Sequence, residues 1–350
     1  MNPLQATTTT NHTTQGIPIM RPTTLATTLN TFHKLNRPVM IEGSPGLGKT
    51  QIVAQSAKDM GIAFYHFHAP TMQPEDFAIP APNASRTAID FLINSRFPVE
   101  GSDHPDEGRI LIDEAPQGDN SIQKTIANLV QEREIYGRKL KPGWSIAMTG
   151  NRSQDRAGAN RILSHLRNRV TTLEFEASLD DWCNWALDHE VRPELISFVR
   201  FKPGLLNDFD PQRDINPTPR AWAEGVSPII DNVPAEAEFE VIKGAVGEGA
   251  AAEFVGFLKI ARKLPNIDVL LMQPDKADVP TEPSVRYAIA GAIAHRASED
   301  NFDRVMTYAR RLPPEFTVLT VLDSIRKCPD VQNTKAFTDW AIKDGAKVLI

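Results

Sequence analysis

Residues Gly43, Ser44, Pro45, Gly46, Leu47, Gly48, Lys49 and Thr50 fit G-x-x-x-x-G-K-[ST], a spacing suited to holding phosphate. Glycines let successive backbone N–H groups converge on phosphate oxygens, and a helix that starts at the lysine adds its N-terminal dipole. Lys49 can then reach the β and γ phosphates of a nucleotide such as ATP, and Thr50 offers its hydroxyl to Mg²⁺. A chance match in a chain of this length is on the order of 1% before context is required. The context is present: an apolar run, Pro38 to Glu42, precedes the loop, and a helical pattern, Gln51 to Met60, follows it.

Ile110-Leu-Ile-Asp113-Glu114 supplies a second half, an aliphatic strand that ends in two carboxylates. Asp113 suits the Mg²⁺ shell, and Glu114 suits a general base that polarises water for attack on phosphorus. A third apolar run, Trp144 to Thr149, ends at Asn151, whose amide can hydrogen-bond that water or the γ-phosphate. Arg152, Arg156, Arg161, Arg167 and Arg169 follow, with Asp155 the only acid among them. Two readings of this basic edge stand: a solvated or nucleic-acid-facing patch, or an arginine lent to a neighbour's nucleotide, worth ~10³-fold or more in rate. Leu163 to Arg169, just before a strand at Thr171 to Phe175, is the best placed stretch for the second.

To position these groups, the strands at Pro38–Glu42, Ala63–His68, Arg109–Asp113, Trp144–Thr149 and Thr171–Phe175 alternate with helical stretches such as Gln51–Met60 and Ser121–Gln131. That alternation predicts an α/β core with a parallel sheet over residues 21–178. From Leu179 strand-like runs vanish, and helices are expected at Asp180–His189, Arg192–Arg200 and Ala221–Ile230. Pro265, Pro274, Pro280 and Pro283 crowd a linker-like stretch that divides 179–265 from a further helical region, 266–350. Residues 1–20, rich in threonine and poor in apolar side chains, read as a disordered tail.

The 350 residues are 41% hydrophobic and 23% charged, ordinary globular usage, and exceed what one compact core needs. With 38 Lys plus Arg against 44 Asp plus Glu, the net charge is −6, so any affinity for phosphate must be local. Two cysteines, Cys183 and Cys328, make no disulfide framework and fit a reducing compartment. No basic, apolar leader opens the sequence and no apolar run approaches a membrane span, so a cytoplasmic protein without a membrane partner is expected.

In this order the motifs resemble those of the AAA+ ATPases, P-loop NTPases, and among them the MoxR-like group related to the modules of midasin and dynein. The resemblance covers about residues 22 to 230. It makes Gly43–Thr50 the Walker A loop, Ile110–Glu114 Walker B, Asn151 sensor 1 and Leu166–Arg169 the arginine-finger segment. Asn168-Arg169-Val170 stands where the family ends that segment in Asp-Arg-Phe, which leaves Arg167 and Arg169 both open as the trans arginine. Pro217 to Trp222 resembles sensor 2, with Arg220 at the head of a lid helix. The resemblance implies strand order 5-1-4-3-2, an α-helical lid with a helical C-terminal extension, and ATP with Mg²⁺ bound between subunits of a ring, usually a hexamer. Ala78–Asn94 and Arg133–Leu140 resemble the group's two hairpin inserts, which face the ring pore or the client.

His66 and His68 share a strand face but lack further ligands at metal spacing, so packing or hydrogen-bonding roles are favoured over zinc. Trp182 and Trp185 read as a helix face of the lid core. Three functions compete. A MoxR-type remodelling chaperone would act on a protein client, in related systems often one with a von Willebrand factor A domain. A nucleic-acid motor would need a basic pore, but the first insert carries only Arg86 against Asp90, while the second sets Arg133, Arg138 and Lys139 against Glu134. Charge therefore favours the protein client. The third function is a slow, nucleotide-gated assembly module.

Overall fold

The computed structural model describes residues 19–152, 155 and 162–345. Most of the Thr-rich tail expected over 1–20, and Arg156 and Arg161, lie outside them. The end of that tail is a correction: Ile19–Met20 are a strand, β1, whose residues align with Glu174 and Phe175 in parallel register.

The described residues divide into two compact units, one running to Ser44 and from Lys49 to Glu176, the other comprising Pro45–Gly48 and the chain from Ala177 onward. In the first, β1 leads to α1 (Pro22–Lys34), which starts on a proline whose fixed φ suits a first helical position and buries Leu25, Leu29 and His33 on one stripe. Next come β2 (Val39–Glu42), α2 (Lys49–Asp59), β3 (Ala63–His68), β4 (Ala78–Pro82), β5 (Ile89–Ile93) and β6 (Glu107–Asp113). They are followed by α3 (Asn120–Glu132), β7 (Glu134–Ile135), β8 (Arg138–Lys139), β9 (Gly143–Gly150), α4 (Ser164–Arg167) and β10 (Thr171–Phe175).

Six strands form one parallel sheet in the order β1-β10-β2-β9-β6-β3. Counting β2, β3, β6, β9 and β10 as strands one to five, this is the order 5-1-4-3-2 that the resemblance implies, with β1 added at the edge, on the parallel α/β core that the alternation of strands and helices predicts. β2 is buried along its whole length, and β6 and β9 almost so, which is why their sequences read as unbroken apolar runs. The order brings the C-terminal ends of β2, β9 and β6 side by side, with Glu42 level with Gly150 and Ile112 level with Met148.

Among the described residues, no α-helix joins β3 to β6. The connection consists of two single helical turns, Ala69–Thr71 and Pro74–Asp76, and the antiparallel hairpin β4–β5. A second, shorter hairpin is β7–β8. Phe91 of the first stacks on Tyr136 at the turn of the second, centroids 4.4 Å apart, so the two inserts meet.

The second unit is helical: α5 (Leu179–Asp188), α6 (Pro193–Phe201), α7 (Glu238–Val246), α8 (Glu248–Ala261), α9 (Ile267–Met272), α10 (Pro283–His295), α11 (Phe302–Ala309), α12 (Pro314–Lys327) and α13 (Lys335–Lys343). Trp182, Phe198, Trp222 and Phe254 centre one apolar cluster, and Phe302, Tyr308, Phe316 and Trp340 centre another. α10 feeds both, giving Ala288 to the first and Ile289 and Ile293 to the second, and no break between compact units falls at residue 265.

Candidate active site

A parallel strand delivers the residue after its last apolar position to the carboxyl edge of the sheet, where α/β proteins place ligands. β2 delivers Gly43 and Ser44, β6 delivers Asp113 and Glu114, and β9 delivers Thr149 and Asn151. Gly46 and Gly48 take positive φ, +74° and +85°, so the loop turns where a side chain would strain it.

Lys49 is buried, and its ammonium donates to the carbonyls of Gly43 (2.8 Å) and Ser44 (2.9 Å) and to Oδ1 of Asn151 (3.1 Å). Thr50 Oγ1 donates to Asp113 Oδ2 at 2.9 Å. The two groups expected at Mg²⁺ thus face one another, and both present the hard oxygen that this ion takes. Thr149, wholly buried, donates to the other carboxylate oxygen of Asp113 and accepts the backbone N–H of Glu114 at 3.0 Å. Glu114 itself sits at φ +52°, a left-handed conformation that costs a non-glycine residue energy and turns the carboxylate off the line of the strand. His66 Nε2 lies 3.2 Å from Asp113 Oδ2 and His68 Nε2 lies 3.5 Å from Glu114 Oε2, because β3 pairs with β6 and sets His68 level with Asp113.

A second set of charges lies at the root of the loop. Glu42 and Glu174 are register partners on β2 and β10, and both are buried. Arg167 Nη2 donates to Glu42 Oε1 at 2.6 Å, and Arg152 Nη1 donates to Glu174 Oε1 at 3.1 Å. Arg152 also donates to Asp155 (2.7 Å) and to Ser44 Oγ, and Ser44 donates in turn to Asp155 at 2.9 Å. Burial pulls the Arg152 guanidinium toward neutrality, but its bonds to Asp155 and Glu174 outweigh that and hold its pKa above the ordinary value. Arg169 is exposed, with one long bond, 3.4 Å, to the Ala127 carbonyl.

In the second unit, the Arg220 amide donates to the Gly46 carbonyl at 3.0 Å. A Cβ on Gly46 would fall 2.4 Å from Thr218 Oγ1, a second reason for glycine there. The Arg220 guanidinium is about half exposed and lies 3.9 Å from Glu224, at the head of the helical turn Ala221–Val226.

The fold therefore brings together Gly43, Ser44, Lys49, Thr50, Asp113 and Asn151 by direct contact, and sets Glu114 beside them in sequence. Arg167 and Arg169 are not part of that contact group. Sequence reasoning gave Thr149 no role, counted Arg152 only as basic edge, and took Glu42 for a strand end. One signal was readable: Glu42, like Asp113, is an acid that ends an aliphatic run.

No protein-family model matches the chain, and no curated protein matches it. Among solved structures, a point mutant of Thermotoga maritima RuvB is 14% identical over 81% of this chain and 72% of its own, with a TM-score of 0.35. A second mutant of the same protein is 14% identical over 77% and 79%, with a TM-score of 0.37. A Cytophaga hutchinsonii protein named only provisionally as an ATPase is 13% identical over 86% and 79%, with a TM-score of 0.34. At such TM-scores the likeness carries no inference about this chain, whose fold rests on the strand order and register given above.

Proposed function

We propose that this chain is an ATP-hydrolysing AAA+ ring protein of the MoxR type that remodels a protein client. The observation that carries the reading is the convergence of Lys49 on Asn151 and of Thr50 on Asp113 at the ends of three neighbouring parallel strands.

In this reading the loop amides and Lys49 bind the β and γ phosphates, the ammonium exchanging its loop carbonyls for phosphate oxygens. Thr50 and Asp113 would hold Mg²⁺, which when bound neutralises charge on the β and γ oxygens. Thr149 fixes Asp113 by one oxygen and the Glu114 backbone by its N–H, so the acid pair is set before substrate arrives. Glu114 takes the proton of the attacking water, and Asn151 orients that water or the γ-phosphate. An arginine from a neighbouring subunit completes the site in a ring, expected to be a hexamer. Arg220 senses nucleotide state from the helical unit.

A protein client, for instance one with a von Willebrand factor A domain, is favoured over nucleic acid by the first hairpin. Ile79, Ile89 and Leu92 there are 54%, 68% and 63% exposed, an apolar surface where a strand-tracking pore needs cations. The test of the activity is Glu114→Gln: ATP binding should persist while phosphate release falls by ~10²-fold or more, the loss of a general base. Equal loss of binding and turnover would end the assignment of Glu114.

A further inference from the structure

We propose that Arg167 acts on its own chain's phosphate loop, as the counter-ion that holds Glu42, and that it is not the arginine lent to a neighbour. The inference rests on the nucleotide-binding reading above and deepens it.

Glu42 is the residue before Gly43, and its carboxylate is buried with 4% of the residue exposed. A carboxylate so placed needs a counter-charge, because losing one partner of a buried pair leaves an uncompensated ion. Its need is greater here, since Glu174 lies at the same level of the neighbouring strand and on the same face of the sheet. Arg167 answers Glu42 at 2.6 Å, and Arg152 answers Glu174 at 3.1 Å. Arg152 reaches on to Ser44 Oγ, while Lys49 grips the carbonyls of Gly43 and Ser44.

The limb Glu42-Gly43-Ser44 is thus fixed by three cations of its own chain, Arg167, Arg152 and Lys49. A loop held in this way binds phosphate with less ordering cost than one that must be immobilised by the ligand. Arg167 cannot swing to another molecule without abandoning Glu42. Arg169 is the contrast: two residues further on, it is exposed, and among the described residues its guanidinium makes a single long bond, to the Ala127 carbonyl. Arg167 ends α4, whereas Arg169 lies beyond the capping Asn168, so the segment can serve both a cis and a trans role.

The two roles differ in what they change. A positioning residue for the loop alters affinity for ADP and ATP alike, whereas an arginine lent in trans alters turnover. The experiment is equilibrium binding of ADP and of ATP to the full chain, with phosphate release measured beside it. Arg167→Ala should weaken both nucleotides by about tenfold, as loss of preorganisation would. Glu42→Gln in the same chain should restore most of that affinity by removing the stranded charge. Arg169→Ala should bind both within about twofold of wild type while losing turnover, recovered in part when mixed with Lys49→Ala subunits. Should Arg167→Ala not fold, Glu42→Gln with Arg167→Gln replaces it, and near-wild-type affinity in that neutral pair is the expected result. Wild-type affinity in Arg167→Ala together with turnover restored by Lys49→Ala subunits would overturn the proposal, as would a neutral pair that folds but binds tenfold more weakly. A wild-type chain that binds neither nucleotide would instead overturn the functional reading itself.

Discussion

The carboxyl edge of the sheet and the helices of the second unit both bury charge, and they do so differently. At the sheet edge, Lys49, Glu42, Glu174, Arg152 and Arg167 are linked through Ser44 and the loop carbonyls into contacts that span β2, β9 and β10. In the helical unit, Arg200 of α6 closes on Asp323 of α12 with both guanidinium nitrogens, inside a predominantly apolar packing. The same currency of buried charge fastens two helices in one place and arranges a loop in the other. Chained charges that end on backbone atoms of a turn mark a site, whereas a pair that closes on itself marks a joint.

Single substitutions sharpen that distinction, and the largest effect is expected at Lys49. Lys49→Ala removes the loop cation whose ammonium holds the Gly43 and Ser44 carbonyls and would exchange them for phosphate oxygens, so ATP affinity should fall by ~10²-fold, the scale of lost charge-assisted bonds. Thermal melting of the nucleotide-free protein should change much less. Asp323→Ala should show the reverse pattern. It strands Arg200 in the helical packing and should cost about 3–5 kcal/mol of stability. Chemical denaturation measures that loss, and nucleotide affinity of the folded fraction should stay as in wild type. If Asp323→Ala weakened ATP as much as Lys49→Ala, the division between site and joint would fail.

Much of the sheet edge was legible from the sequence because each functional group there follows an aliphatic run that can only be a buried strand. Gly43–Thr50, Asp113 and Asn151 stand at such ends, and the strand order followed from the resemblance that they support. Contacts between distant segments were not legible. That His66 and His68 would lie against Asp113 and Glu114 depends on β3 pairing with β6, and neither histidine's local sequence says which strand is its neighbour. Arg167 and Arg169 look alike in sequence, and only the position of Glu42, more than a hundred residues earlier, separates them. β1 was lost for the opposite reason: two residues of edge strand carry too little periodicity to be distinguished from the threonine-rich stretch before them.

The smallest expected effect concerns pH and sets His33 of the first unit against His295 of the second. His33, in the last turn of α1, is buried, with Nδ1 2.8 Å from Ser145 Oγ on β9 and Nε2 3.5 Å from Glu107 on β6. Burial, and then the nearby Arg109 guanidinium, push its pKa below the ordinary 6.5, and the bond to Glu107 offsets this only in part. His295 is also lowered, by desolvation first and by Lys327 next, but it ends α10 as an exposed residue, where solvent screens such effects. A histidine whose pKa is lower in the folded chain binds fewer protons there than in the unfolded chain. Its contribution is therefore fully present above about 6.5 and is lost as pH falls below that value. Melting temperatures of the nucleotide-free protein at pH 7.5, 6.5 and 5.5 should decline with acidity. His33→Gln should flatten part of that decline, since the amide keeps a partner for Ser145 and takes up no proton. His295→Gln should leave the decline almost unchanged. If His295→Gln flattened it more than His33→Gln, burial beneath the sheet would not be what governs the response to acid.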